Sequence, residues 1–394
     1  MNRPDPDNGC AQPVTPFQIS KEQLMRKLLK YGIALSFGAA FASAAHADVT
    51  VAVVGPMTGP YAAYGEQMKT GADQWAADIN KAGGLLGQKV VVDARDDGCD
   101  PEKAVTVAGE LATEKVAIVI GHFCSGASIP ASRVYATENI VQISPASTNP
   151  KFTDERPGVG VMRVAGRDDQ QGQIAGEFLA WRFRDQNVAV IDDGSAYGKG
   201  LADETRRFMN EAGKTEVLSA TFENGQTDFS ELVSKLKTAN ADAVYVGGYF
   251  PEAALIVKAM REQGMKTVLV SGDTFAADAY WDAAGDAAEG TLFTFSPDPR
   301  RGPDASSVVA EFKAGGVDPE GYVLFAYGAL QAWAQAVDNA DTVEFGPVVD
   351  ALQKGTFRSV LGDFHFDDNG DVNLPSFVIY EWKDGSYDYY VASR

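Results

Sequence analysis

Apolar residues recur along this chain in two alternating rhythms. Short β-branched runs bounded by Gly, Pro or Asp give way to longer stretches in which apolar residues return with helical spacing. The first pattern suits a strand buried on both faces, the second an amphipathic helix. Asp48 to Val54 reads as a strand ending at Gly55-Pro-Met-Thr-Gly59. Tyr61 to Ala82 then carries the helical period through Met68, Ala72, Trp75 and Ile79 until Gly83-Gly84 stops it. Lys89 to Ala94 is a second strand, Asp96-Asp-Gly-Cys-Asp-Pro101 a turn, and Pro101 opens a helix to about Glu114. Val116 to Ile120 and Ile140 to Ser144 are further strands, each followed by a corner of small and hydroxyl residues.

Near Gly166 the alternation starts again. Helices are predicted over Asp168 to Phe183, Gly198 to Ala212, Asp228 to Ala239, Pro251 to Gly264 and Ala276 to Ala284. Between them fall strands at Asn187 to Ile191, Glu216 to Phe222, Ala243 to Gly247, Lys266 to Ser271 and Gly290 to Phe295. The pattern predicts an α/β chain of two doubly wound parallel-sheet lobes, whose ligand site lies beyond the carboxyl ends of the strands, in the cleft between them. The tail departs from it. Ser306 to Ala314, Tyr322 to Val337 and Phe345 to Gln353 read as helices, and Phe364 to Asp371 as a hairpin around Asn369-Gly370. Phe377 to Trp382 and Tyr387 to Val391 flank Lys383-Asp-Gly385, a second hairpin signal. The tail is therefore expected to cross back between the lobes as hinge strands.

The corner after Val116 to Ile120 is His122-Phe-Cys-Ser-Gly-Ala-Ser128, with Pro130 expected in the first turn of the helix that follows. The corner after Ile140 to Ser144 is Pro145-Ala-Ser-Thr-Asn-Pro150. Side by side, Ser125, Ser128, Thr148 and the free N–H groups of a helix start would suit one small carboxylate. The plainer reading is that Ser125 and Thr148 only cap helices.

Composition narrows the function. The net charge of −20 argues against a nucleic-acid surface. Residues 1–24 are polar and proline-bearing, and Met25 to Ala47 runs from a basic start through an apolar stretch to Ala45-His46-Ala47. This is the layout of a secretory signal cleaved after Ala47, with Met25 as the expected natural start. No later stretch is long and apolar enough to span a bilayer. Cleavage would leave two cysteines, and an even count in an exported chain favours a Cys99–Cys124 disulfide. The alternative is a nucleophilic Cys124 with His122 as its base.

Enzyme signatures are missing. There is no phosphate-binding Gly-Lys loop, no dinucleotide fingerprint and no nucleophile elbow. Two histidines beyond the signal are few for a zinc site, and Asp367-Asp-Asn-Gly-Asp371 lacks the spacing and closing Glu of a calcium loop. No catalytic residue, metal or cofactor is expected. What remains is a set of aromatics and one acid just after strands: Tyr64, Phe123, Tyr197, Tyr249, Phe250 and Asp273. An aromatic cage with an acid opposite two hydroxyl corners suits a zwitterion with an apolar side chain.

Taken together, Val51-Ala-Val-Val-Gly-Pro-Met-Thr-Gly-Pro60, Tyr64-Gly65, Asp96 to Pro101, Gly121 to Ser125, Ser144 to Thr148, Tyr197 to Gly200, Asp228-Phe-Ser230 and Tyr249-Phe-Pro-Glu252 carry a resemblance. The chain from Asp48 onward resembles the periplasmic leucine/isoleucine/valine-binding proteins of ABC transporters, with the type I solute-binding fold. The resemblance implies that Ser125 and Thr148 hold a ligand carboxylate, and that the Ala146 carbonyl and Asp273 hold its ammonium. Tyr64, Phe123, Tyr197, Tyr249 and Tyr322 would line the side-chain pocket, and Cys99 and Cys124 would pair. It also implies a monomeric periplasmic receptor that closes on an amino acid, Leu, Ile or Val first, and hands it to an inner-membrane ABC permease. The lobes are expected at 48–166 with 298–375 and at 167–297 with 376–394, behind a leader at 1–47. Two residues depart from the family pattern: Asp273 stands where close relatives often carry Glu, and bulky Phe123 where aliphatic residues are common. A narrower pocket or another neutral amino acid would follow. The competing readings are a sensory module for an amide or organic acid, and a Cys124-dependent amidase.

Overall fold

The structure is a computed structural model that describes residues 48–375 and 377–392. The leader and the signal peptide read at 1–47 lie outside the described residues. In the first lobe, β1 (Val49–Gly55), β2 (Val90–Asp96), β3 (Ile118–Gly121), β4 (Val141–Ser144) and β5 (Val161–Arg163) form a parallel sheet in the order β2-β1-β3-β4-β5. Helices α1 (Ala62–Lys81), α2 (Pro101–Glu114), α3 (Ser125–Glu138) and the single turn α4 (Lys151–Asp154) connect its strands. β1, β3 and β4 are almost wholly buried, as expected for strands covered on both faces.

The second lobe repeats the plan. Its strands are β6 (Val188–Asp192), β7 (Leu218–Thr221), β8 (Ala243–Gly247), β9 (Val268–Ser271) and β10 (Leu292–Phe295). They are joined by α5 (Asp168–Arg182), α6 (Ala196–Glu211), α7 (Ser230–Thr238), α8 (Phe250–Glu262) and α9 (Asp278–Ala284). The parallel part runs β10-β9-β8-β6-β7, the order of the first sheet over again. The tandem alternation in the sequence is thus a tandem of sheets.

The tail is shared between them. Helix α11 (Val323–Ala340) lies on α1, where Trp75 meets Trp333 edge to face and Gly71 faces the Val323 carbonyl so closely that a Cβ would lie 2.1 Å from it. Helices α10 (Ser306–Ala314) and α12 (Phe345–Lys354) flank it in sequence. The hairpin of β13 (Val378–Lys383) and β14 (Ser386–Tyr389) then returns to the second sheet, where β13 pairs antiparallel with β10. The Asn369-Gly370 turn is present, closed by a Phe366–Val372 bridge and by Asp367, which accepts from the Asn369 and Asp371 N–H groups. Several short elements escaped the sequence reading, among them α4. The hairpin β11 (Phe357–Ser359) and β12 (Gly362–Phe364) has only three residues a side, and β5 only three in all.

The chain crosses between the sheets three times, and a buried ion pair ties two of the crossings. Arg163, fully buried at the end of β5, donates to Asp371 at 2.6 Å. Arg167, at the start of α5, reaches the other Asp371 oxygen at 2.8 Å. Arg163 also donates to the Ser147 carbonyl at 2.8 Å, so the hinge holds the second hydroxyl corner directly.

Candidate functional site

The two corners converge above the first sheet. One correction concerns α3. It begins at Ser125, so Pro130 lies inside the helix and not in its first turn. The residue at the cap position is Cys124, whose side chain makes no capping bond. Capping therefore does not explain either hydroxyl. Ser125 Oγ accepts from the Asn149 N–H at 3.3 Å, and the buried Thr148 Oγ1 has no partner. No described hydrogen bond ends on the buried Ala146 carbonyl between them. Ser128 is used otherwise: it bonds to Ser147 Oγ and to the His122 carbonyl.

The corners are braced from below. His122 is fully buried, with Nδ1 2.6 Å from Asp97 and Nε2 3.0 Å from the Tyr135 hydroxyl. Its carbonyl takes the hydroxyls of Ser128, Ser144 and Ser147. Gly121 allows the strand to pass close to β1: at φ +138°, a Cβ there would lie 2.2 Å from the Val54 carbonyl oxygen. Cys99 and Cys124 are bonded, with Cα atoms 5.4 Å apart, which fastens the turn after β2 to the residue before Ser125. Cys124 therefore offers no thiolate for nucleophilic chemistry, and its supposed base His122 is committed to Asp97 and Tyr135.

Across the cleft lies Asp273, just past β9 and 2% exposed. It accepts from Tyr197 at 2.7 Å, from Gln171 at 3.0 Å and from Tyr322. Burial raises its carboxyl above the usual range, and the three donors pull it part of the way back. Beside it is a residue the sequence reading passed over. Asp168, first residue of α5, is fully buried, and neither of its oxygens has a partner. Its backbone N–H donates to the Thr148 carbonyl at 2.9 Å, which places the carboxyl next to the hydroxyl corner. Burial pushes its carboxyl well up, the Asp273 charge pushes it further, and the nearby Thr148 hydroxyl acts in the opposite sense. Two buried carboxylates thus lie near each other, and no described cation pairs with either. Such an arrangement is costly unless a cation enters from outside.

The five expected aromatics are brought together and buried. Phe123 stacks on Tyr64 with centroids 4.3 Å apart and meets Tyr322 edge-on at 4.8 Å. Tyr249 bridges Tyr64 at 6.1 Å and Tyr197 at 5.2 Å. Both lobes contribute, and their backbones also join. Tyr64 donates to the Thr274 carbonyl at 2.9 Å and accepts from the Phe250 N–H at 3.2 Å. Asn149 Nδ2 reaches the Ala196 carbonyl at 2.6 Å. The arrangement is closed, with one polar end and one aromatic end. Besides Asp168, sequence reasoning missed Gln171. The acidic first turn Asp168-Asp169 was visible, but it looks like any helix start.

Comparison with known proteins agrees with this fold. The family model described as periplasmic binding protein matches residues 48–386. The Leu/Ile/Val-binding protein homolog 1 of Brucella suis biovar 1 is 45% identical over 370 residues, covering 93% of this chain and 99% of that one. Among solved structures, the leucine-binding protein LivK of Thermotoga maritima superposes with a TM-score of 0.79 at 28% identity, covering 87% of this chain and 98% of that one. The branched-chain amino acid transporter substrate-binding protein LivJ of Streptococcus pneumoniae, solved with isoleucine, gives 0.78 at 26%, with the same coverage. By the span of the family match and the identity to its relatives, the chain belongs to the periplasmic binding protein family.

Proposed function

We propose that the protein is the periplasmic substrate-binding component of an ABC transporter, taking branched-chain or other neutral hydrophobic amino acids and passing them to an inner-membrane permease. One observation carries the reading: two buried carboxylates with no described cation on either, Asp168 and Asp273, lie beside the buried Thr148 hydroxyl and an aromatic cage. An amino acid supplies what these groups lack. Its ammonium lies between Asp168, Asp273 and the Ala146 carbonyl, its carboxylate on Ser125 and Thr148, and its side chain among Tyr64, Phe123, Tyr197, Tyr249 and Tyr322. An organic acid would leave both aspartates uncompensated. The named relatives, Leu/Ile/Val-binding proteins, point the same way.

The protein acts by binding alone. The ligand docks on the first lobe, and the second closes over it by hinging near residues 166, 297 and 375, so 48–166 with 298–375 moves against 167–297 with 376–394. Closure is driven by contacts that only the closed state makes. The test is the melting temperature of the refolded, ligand-free protein against the twenty amino acids. A ligand at a hundred times its Kd adds about 2.7 kcal/mol to the folded state. A clear shift for Leu, Ile, Val or another neutral amino acid is expected, and no shift for any of the twenty would overturn the reading.

A further inference from the structure

Tyr61 belongs to none of the groups that meet the ligand, yet it spans the lobes. It is the residue just before α1, and it is 5% exposed. Its hydroxyl lies 2.8 Å from Glu252 Oε1 and 2.6 Å from Asn224 Oδ1, both on the second lobe. Glu252 is in the first turn of α8, and the same Oε1 accepts from the Gly225 N–H at 2.9 Å. Three segments therefore meet at one carboxylate oxygen: the loop after β1, the loop after β7 and the start of α8. A phenol has one proton, and the carboxylate is the stronger acceptor. Turning the Asn224 amide lets its N–H donate to the phenol oxygen, which satisfies both.

The ring of Tyr61 has a second role. Its centroid is 4.9 Å from that of Tyr249, a wall of the cage, and Tyr249 in turn rests against Tyr64 and Tyr197. Tyr197 donates to Asp273. A continuous chain of contacts thus runs from the ammonium end of the cleft, through the cage, to a hydrogen bond that exists only when the lobes are together.

We propose that Tyr61 is a positioning residue for ligand capture, a latch that holds the lobes shut through Glu252 and engages when the ligand leaves Tyr249 in place. The inference rests on reading the cleft as an amino-acid site. A latch that forms after docking slows opening and leaves docking alone. Its signature is kinetic: dissociation changes and association does not.

The test is stopped-flow binding of leucine to the wild type, Tyr61→Phe, Glu252→Gln and the double variant. Losing the hydrogen bond to a charged group should speed dissociation about tenfold in Tyr61→Phe, and Glu252→Gln, which keeps an amide acceptor but loses the charge, should speed it by less. Association should hold, the ligand-free melting temperature should not fall, and the double variant should be no faster than Tyr61→Phe. Unchanged dissociation, or single effects that add, would overturn the latch, and a fall in ligand-free melting temperature with slower association would show a packing role instead. If the wild type binds no amino acid, the functional reading fails separately. Lobe-to-lobe fluorescence energy transfer on the ligand-free protein then decides: closed intervals shortened by Tyr61→Phe support the latch, and equal intervals overturn it.

Discussion

Replacing Asp168 by Asn should weaken ligand binding and stabilise the empty protein at once. The two effects share one cause. Asp168 is fully buried, its oxygens are unpartnered, and its carboxyl is held well above the usual range by burial and by the Asp273 charge. An acid whose folded pKa is raised costs stability at every pH above its unfolded value, and the cost grows until the pH passes the raised value. At neutral pH the folded protein carries that cost. An amide of the same shape costs less to bury than an uncompensated carboxylate, so the ligand-free melting temperature should rise. The same change deprives a bound ammonium of a charge-assisted partner worth about 1.5–3 kcal/mol, or roughly ten- to 150-fold in Kd.

The pH dependence has a matching sign. Lowering the pH protonates Asp168 and Asp273 before carboxyls of ordinary pKa, and the ammonium then meets neutral acids. Affinity should therefore fall as the pH falls, and ligand binding should release protons. Calorimetry in buffers of different ionisation enthalpy, with thermal melts of the empty protein, reads all three effects. Asp168→Asn that binds with wild-type affinity, or that melts lower when empty with its proton release unchanged, would refute the assignment.

Two further changes test other parts of the structure. Phe123→Leu removes the ring stacked on Tyr64 and enlarges the side-chain end of the cleft; the ranking of Kd values should move toward bulkier amino acids, and an unchanged ranking would show that Phe123 does not set the size limit. Asp371→Ala leaves the buried Arg163 without its partner and should cost about 3–5 kcal/mol in a denaturant melt, the usual penalty for breaking a buried pair from one side. Because Arg163 also holds the Ser147 carbonyl, the loss should reach ligand affinity as well as stability.

The alternation of strands and helices, and hence the two sheets, was legible because each element announces itself locally. β-branched runs, glycine stops and the period of Met68, Ala72 and Trp75 need no tertiary contact to be read. The aromatics were legible for a related reason. Tyr64, Phe123, Tyr197 and Tyr249 follow strands, and strand ends in such sheets face one cleft, whereas Tyr322 rested on the family resemblance alone. What stayed hidden depends on partners far away in the chain. The start of α3 was misplaced because Pro130 is favoured in a first turn, whereas this helix begins at Ser125, next to the disulfide-held Cys124, and runs through Pro130. Tyr61 looked like a helix start until Glu252, far along the chain, came to meet its hydroxyl.

Asp168 shows why such residues resist sequence reading. An acid in the first helical turn is the commonest and least informative place for one, since the helix dipole favours it anywhere. Only burial changes its meaning, and here Asp168 is buried against the Thr148 corner with the Asp273 charge close by. In a ligand-free closed state this pair must either take up a proton or hold two like charges away from water, and both costs favour reopening. An ammonium reverses the sign of that balance. On the amino-acid reading proposed above, the pair of aspartates that makes the empty cleft reluctant to shut would hold the occupied one shut, and selectivity for amino acids over simple carboxylates would follow from the protein's own uncompensated charge.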